Sequence, residues 1–337
     1  MKGYKIFFFA IFILILISGN IFTQTLDPNK KLTEYILDIW NTDNGLPQNS
    51  VQTIHQTRDR FIWITTQEGL VRFDGVNFKV FDKITYKEIK NNYVSAFYEG
   101  FDGKYYVGMI GGGLTVIDKT KLQNFVTDDG LCNEFVSYIT GSKDGSIWLA
   151  TNKGLSRFKD GKFKNYFMKD GLPSDIVTSL TYDQSNNLWV GTDNGLVLFD
   201  NGVKRIFTIN DGLVGNSILY LYTDKNNRLW IGTKDGISIY ENGFFTNLTT
   251  NNGLPDNAVN VIYQASNNIY WFGTTTGGLV RYNNGKIDVL NSKNGLPNDC
   301  IFSIIEDVEG SLWIGTNGGG LVRLREPKFL HFTTNKD

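Results

Sequence analysis

The chain has 337 residues, with 33 Lys and Arg against 34 Asp and Glu, a net charge of -1 and 20% charged residues. That balance excludes the basic footprint of a nucleic-acid binder and the acidic tail that would attract a cationic partner. Thirty-six Gly and sixteen Tyr against six Pro and three Met point to many short strands, tight turns and an aromatic core, an all-β profile.

In chain order, the first element is an export signal. Lys2 and Lys5 precede an apolar run from Ile6 to Ile17, followed by Ser18, Gly19, Asn20 and a polar stretch. About 12 apolar residues fall short of the roughly 20 that span a bilayer, so the reading is a cleaved signal over 1–24, not an anchor. A secreted or periplasmic chain with no transmembrane anchor after cleavage is expected. Only Cys132 and Cys300 would then meet an oxidising compartment. They lie in different repeats, and two free, partly buried thiols are expected.

After a short strand at 35–41, repetition dominates. Gly-Leu recurs at Gly45-Leu46, Gly130-Leu131, Gly171-Leu172, Gly212-Leu213, Gly253-Leu254 and Gly295-Leu296. One unit inside the first, double-length gap has lost it. A second anchor recovers that unit: Trp63, Tyr106, Trp148, Trp189, Trp230, Trp271 and Trp313 follow one another at 41 to 43 residues. Seven units result. In the third, Phe135–Thr140, Ile147–Thr151, Leu155–Phe158 and Lys162–Phe167 read as strands separated by Lys143-Asp144-Gly145-Ser146, Asn152-Lys153-Gly154 and Asp160-Gly161 turns.

Four strands repeated seven times are blades. A lone sheet cannot bury both faces, so blades stack, and closing the stack into a ring removes its two wet ends. An anchor Trp between blades buries roughly 150–250 Å², about 4–6 kcal/mol as an upper bound. Thr65, Gly108, Ala150, Gly191, Gly232, Gly273 and Gly315, two positions after each anchor, admit the neighbouring blade. The expected fold is an all-β seven-bladed β-propeller of four-stranded antiparallel blades over 25–337. Its blade cores fall at about 49–82, 92–127, 134–167, 175–208, 216–249, 257–290 and 299–333. Fourth-strand segments number eight, one too many. Either 35–41 completes the last blade, which is the preferred reading, or the tail at Lys328–Phe332 does.

Units such as Asp170-Gly171-Leu172-Pro173 followed by Asn226-Asn227-Arg228-Leu229-Trp230-Ile231-Gly232-Thr233 in the next resemble the two-component regulator propeller repeat, from about Thr33 onward. The resemblance implies the extracytoplasmic sensor portion of a hybrid two-component system, often responsive to carbohydrate. Partners would be a small molecule or oligosaccharide and a sensor kinase or downstream domains. The family's second propeller, membrane span and kinase segment do not follow here, so kinase activity by this chain is not expected. The alternatives are an extracytoplasmic propeller lyase or hydrolase, and a non-catalytic interaction scaffold.

No nucleophile elbow, metal-ligand spacing or phosphate loop occurs, and neither cofactor nor metal is expected. Of the two histidines, His55 lies in an inner strand and His331 in the tail. Asp183, Asp224 and Asp307 read as turn formers rather than calcium ligands. The candidate ligand-binding face gathers the Gly-Leu loops with the turns between second and third strands. Its inner rim is Asn49, Glu134, Asp175, Asn216, Asn257 and Asp299, and its outer rim includes Gln67, Asn152, Asp193, Lys234, Thr275 and Asn317. These side chains either meet ligand hydroxyls or satisfy their own loops. Tyr86, Tyr93, Phe101 and Tyr105 in the degenerate second blade form a further aromatic candidate.

Overall fold

Strict alternation between tight turns makes each repeat one antiparallel sheet. In the third, Val136–Gly141, Ile147–Thr151, Gly154–Lys159 and Lys162–Tyr166 pair in that order. The computed structural model describes residues 25–200 and 202–327, and among these seven four-stranded sheets form. The helical pieces are three-residue 3-10 turns, so the chain is an all-β, seven-bladed propeller. The signal segment, His331 and the tail strand lie outside the described residues.

Every second strand, from Ile62–Thr66 to Leu312–Thr316, is buried along its whole length except at the half-buried Tyr105 that opens Tyr105–Met109, while outer strands such as Lys162–Tyr166 alternate exposed and half-buried residues up to a buried last one. The core is therefore distributed between blades. Trp230 stacks on Tyr270 of the next blade at 4.2 Å, and Trp148 meets Phe199 edge-on at 5.3 Å. The small residue two positions after the anchor is required by contact. A Cβ on Gly232 would stand 2.6 Å from the Val259 carbonyl oxygen, and one on Gly273 2.6 Å from the Ile301 side chain.

Closure occurs where inner strand Ile301–Glu306 packs against Val51–Gln56, with Ile54 N donating to Ser303 Oγ at 2.9 Å. Ile36–Trp40 supplies the outer strand of the last sheet, Ile36 opposite Arg325 and Trp40 opposite Leu321. Asp38 holds this seam: its carboxylate accepts from Arg323 (2.8 Å) and Arg325 (2.7 Å). Leu26, Leu32 and Tyr35 are buried in the core shared by the last two blades. Arg281 donates to the Tyr35 hydroxyl at 3.2 Å, tying this segment to the sixth blade.

Between blades, every outer strand but Phe78–Phe81 ends in a short 3-10 turn. In Ile209–Asp211, the Asp211 carboxylate accepts from Thr208 N at 2.9 Å, and Gly212 follows at φ 110°, a left-handed conformation that favours glycine. Leu213 is then buried as a plug. In the second blade, Ile89 fills that place.

Candidate functional site

Strand direction brings the Gly-Leu loops and the turns between second and third strands to one face. There the rim side chains turn back on their own loops. Asn49 accepts from Thr42 N (2.8 Å), Asp175 from Met168 N (2.7 Å), Asn216 from Ile209 N (2.9 Å) and Asn257 from Thr250 N (2.8 Å). Asp299 takes both N–H and hydroxyl of Ser292, and Glu134 the Thr127 hydroxyl. The same residues bolt blades together: the carbonyls of Asp175, Asn216 and Asp299 accept from Gly154, Gly195 and Gly278 of the preceding blade at 2.7–3.0 Å. A carboxylate or amide that spends one lone pair this way keeps further capacity for a ligand hydroxyl.

A seventh member is present that sequence reading missed. Asn92 accepts from Lys83 N at 3.0 Å and donates to Glu68 at 3.3 Å. Its signal was hidden because the second blade lacks the Gly-Leu from which the others were counted.

The outer-rim residues Gln67, Asn152, Asp193, Lys234, Thr275 and Asn317 are all exposed. Backbone N–H groups of the last five bond the start of their own inner strand, which fixes the turns. Thr275 Oγ1 donates to Asn260 at 3.1 Å, and Asn317 accepts from Ser50 Oγ at 3.0 Å. The aromatic candidates do not form one patch. Tyr86 and Tyr93 lie on the Gly-Leu face, Tyr86 stacking on Phe81 at 5.2 Å. Phe101 sits in a turn on the opposite face, and Tyr105 packs on Trp63 at 5.1 Å.

The axis is crossed by side chains. Tyr138 and Tyr220, on inner strands two blades apart, meet edge-on at 6.0 Å, and burial raises both phenol pKa values. His55 tilts against Phe97 at 5.3 Å, and desolvation pushes its pKa down to about 4. The residue is half-buried, and its lowered pKa makes it a neutral packed imidazole at neutral pH.

Clefts between blades open on the opposite face. One of about 210 Å³ lies between blades 3 and 4, lined by Ser142, Asp144, Trp148, Arg157 and Tyr182. The Ser142 hydroxyl holds the Asp144 carboxyl far below its usual range, with Lys159 and Ser146 adding to the effect against partial burial. The turn-forming aspartates on this face have a second role. Asp183, Asp224 and Asp307 each accept from the indole N–H of the Trp six residues on, at 3.1, 2.9 and 2.7 Å. Among the described residues, no group of three or more His, Cys, Asp or Glu is placed to hold a metal, and no helix is long and apolar enough to cross a membrane.

A ring of seven stacked four-stranded sheets, with loops presented on one face and side chains crossing the axis, defines a seven-bladed β-propeller. Four stretches, 171–194, 212–235, 253–276 and 295–318, match the family described as two component regulator propeller, so the chain carries that repeat. No curated protein matches it. Among solved structures, the chain is similar to one named as the extracellular domain of a hybrid two component system from B. thetaiotaomicron. Identity is 23%, TM-score 0.75, with 86% of this chain and 42% of that one covered. A second extracellular domain from that organism, named as a one component system, gives 20% identity and TM-score 0.69 over 90% of this chain and 42% of that one. The chain thus spans less than half the length of these two structures. Virginiamycin B lyase from Staphylococcus aureus is similar at 17% identity and TM-score 0.70, over 87% of this chain and all of the lyase. At these identities the likeness is one of fold.

Proposed function

We propose that this chain is an extracytoplasmic ligand-sensing propeller whose Gly-Leu face binds a small hydroxyl-rich molecule, an oligosaccharide being the leading class. Occupancy is passed to a sensor kinase or to further domains. The observation that carries this reading is the regulator repeat on a fold shared with extracellular domains of signalling systems. The ligand is held by the inner rim Asn49, Glu134, Asp175, Asn216, Asn257 and Asp299, together with the outer rim Gln67, Asn152, Asp193, Lys234, Thr275 and Asn317. Outer-rim chemistry differs from blade to blade, which suits an asymmetric ligand, and the bolted loops leave little rearrangement to offset binding.

Thermal unfolding against a panel of oligosaccharides tests it. A ligand at about 100 times its Kd contributes about 2.7 kcal/mol, a rise of several degrees for a domain of this size. Lys234→Ala and Thr275→Val should abolish that rise while leaving the unliganded Tm in place. A flat response across the panel, or a response that rim substitutions leave untouched, overturns the reading.

A further inference from the structure

Six of the seven repeats carry a tryptophan anchor, and its surroundings can be compared around the ring. Trp63 lies opposite Arg72, Trp148 opposite Arg157, Trp271 opposite Arg281 and Trp313 opposite Arg323. Trp230 lies opposite Ile239 but has Arg228 two residues before it. Arg157, Arg228 and Arg323 stand 5.8, 5.6 and 5.3 Å from the ring centroids of Trp148, Trp230 and Trp313, within the range of a cation–π contact. Among these anchors Trp189 alone has no arginine at either position: it lies opposite Leu198, and Asn187 stands where blade 5 has Arg228.

The clefts on the face opposite the Gly-Leu loops show the same difference. Those between blades 2 and 3, 3 and 4, and 7 and 1 set their carboxylates beside the chain's own cations: Lys104 with Lys159, Arg157, and Arg60 with Arg323. The cleft between blades 4 and 5 has a volume of about 320 Å³. Asp183 and Glu241 line it together with Trp189 and Tyr240, and the rest of its lining is asparagine, leucine and glycine. Cations on neighbouring strands and turns are committed elsewhere. Arg205 lies 4.4 Å over Phe207 and pairs with Asp211, and Lys204 pairs with Asp200. The Lys225 ammonium donates to the carbonyls of Ala265 and Ser266.

The next cleft round the ring shows what such a place accepts. Between blades 5 and 6, Asp224 takes Arg228 Nε and the Tyr270 hydroxyl, each at 2.7 Å, beside its indole bond. Asn187 and Leu229 stand at those two places one blade earlier. Asp183 accepts from Asn187 N, Asn187 Nδ2 and Trp189 Nε1, which leaves one of the four or so lone-pair sites of a carboxylate for a further donor. A phenol would fit the place of Tyr270 but leave both carboxylates without a counter-charge. A planar cation with several N–H donors meets ring and carboxylate together.

We propose that the cleft between blades 4 and 5 binds a small guanidinium compound, its plane over Trp189 and its N–H groups on Asp183, with Glu241 adding to the negative field. The site lies on the face opposite the Gly-Leu rim, so it stands or falls apart from the ligand reading above.

Isothermal titration of the chain with agmatine at low salt tests the proposal. One site with a Kd of about 1 mM or below is expected, weakening as salt rises. Putrescine, a dication without the planar group, should bind about tenfold more weakly or worse. Leu198→Arg sets the chain's own guanidinium beside Trp189, using the residue that the repeat already carries there as Arg157 and Arg323, and should abolish binding without lowering Tm. Asp183→Asn keeps an acceptor for the indole but removes the charge, and should weaken agmatine about tenfold or more. A blocked Gly-Arg-Gly peptide, which offers the same group as a partner's side chain, should bind more weakly than agmatine. No agmatine binding at ten times the expected Kd, putrescine or the peptide binding as tightly, or agmatine binding that survives Leu198→Arg or Asp183→Asn overturns the proposal.

Discussion

Replacing Asp224 by Ala should cost about 3–5 kcal/mol. Its side chain has no exposed surface. One carboxylate oxygen accepts from Trp230 Nε1 at 2.9 Å, Tyr270 OH at 2.7 Å and Arg228 Nε at 2.7 Å. The other accepts from the backbone N–H of Asn226 and Arg228. Alanine leaves an indole N–H and a phenol O–H buried between blades without an acceptor, each about 1–3 kcal/mol, while the partly exposed Arg228 can turn to water. Urea unfolding followed by tryptophan fluorescence measures the loss. A cycle with Tyr270→Phe should show coupling of about 0.5–3 kcal/mol. Acidity gives a second test. Burial raises the Asp224 pKa, but hydrogen bonds from Tyr270, Trp230 and Arg228 outweigh it and hold it below the ordinary 3.8. A pKa lowered on folding contributes stability above the unfolded value, lost as pH falls through the folded one. The difference between native and Asp224→Ala protein should therefore shrink below about pH 4. A loss under about 1 kcal/mol, or a difference that widens on acidification, refutes the clasp.

Gly232→Val should destabilise by about 2–3 kcal/mol, because the new side chain meets backbone that cannot step aside. Urea midpoints check this. Asp38→Ala frees Arg323 and Arg325 at a half-exposed seam, with an expected cost of about 1 kcal/mol. Amide exchange should quicken selectively in Ile36–Trp40 and Leu321–Arg325. Cys132 and Cys300 are unpaired and half-buried, and desolvation raises both thiol pKa values. A thiol reagent at neutral pH should react slowly with native protein and take up two equivalents after denaturation; a single equivalent would contradict this.

The blades were readable because their determinants are local and periodic. A Trp, a small residue two positions later and a Gly-Leu plug each report one contact, and seven in phase report a ring. What stayed hidden required two residues to be read together. Asp224 was recognised as a turn former, which its bonds to Asn226 and Arg228 N–H satisfy. Its second oxygen reaches Trp230, and the six-residue spacing shared by Asp183–Trp189 and Asp307–Trp313 was the available signal. The 3-10 turns escaped notice because three residues carry no period; capping side chains such as Asp211 and Asn294 make them. Eight candidate outer strands for seven places could not be resolved from residue pattern, since either end offers similar alternation. The register of Ile36–Trp40 against Leu321–Arg325 is a tertiary fact.

In the closing sheet, Ile36 lies opposite Arg325, so the segments leading in and out of the ring meet at the same end of one antiparallel pair. Tension carried through those two points would peel the bonds of a single ladder one after another instead of loading them all at once. Of the six remaining blades, each made from consecutive strands, only the sixth, tied to the incoming segment through Tyr35 and Arg281, would feel the pull before that zipper had run its five residues. The molecule therefore has one built-in place to yield, and whatever tugs on both ends addresses it first.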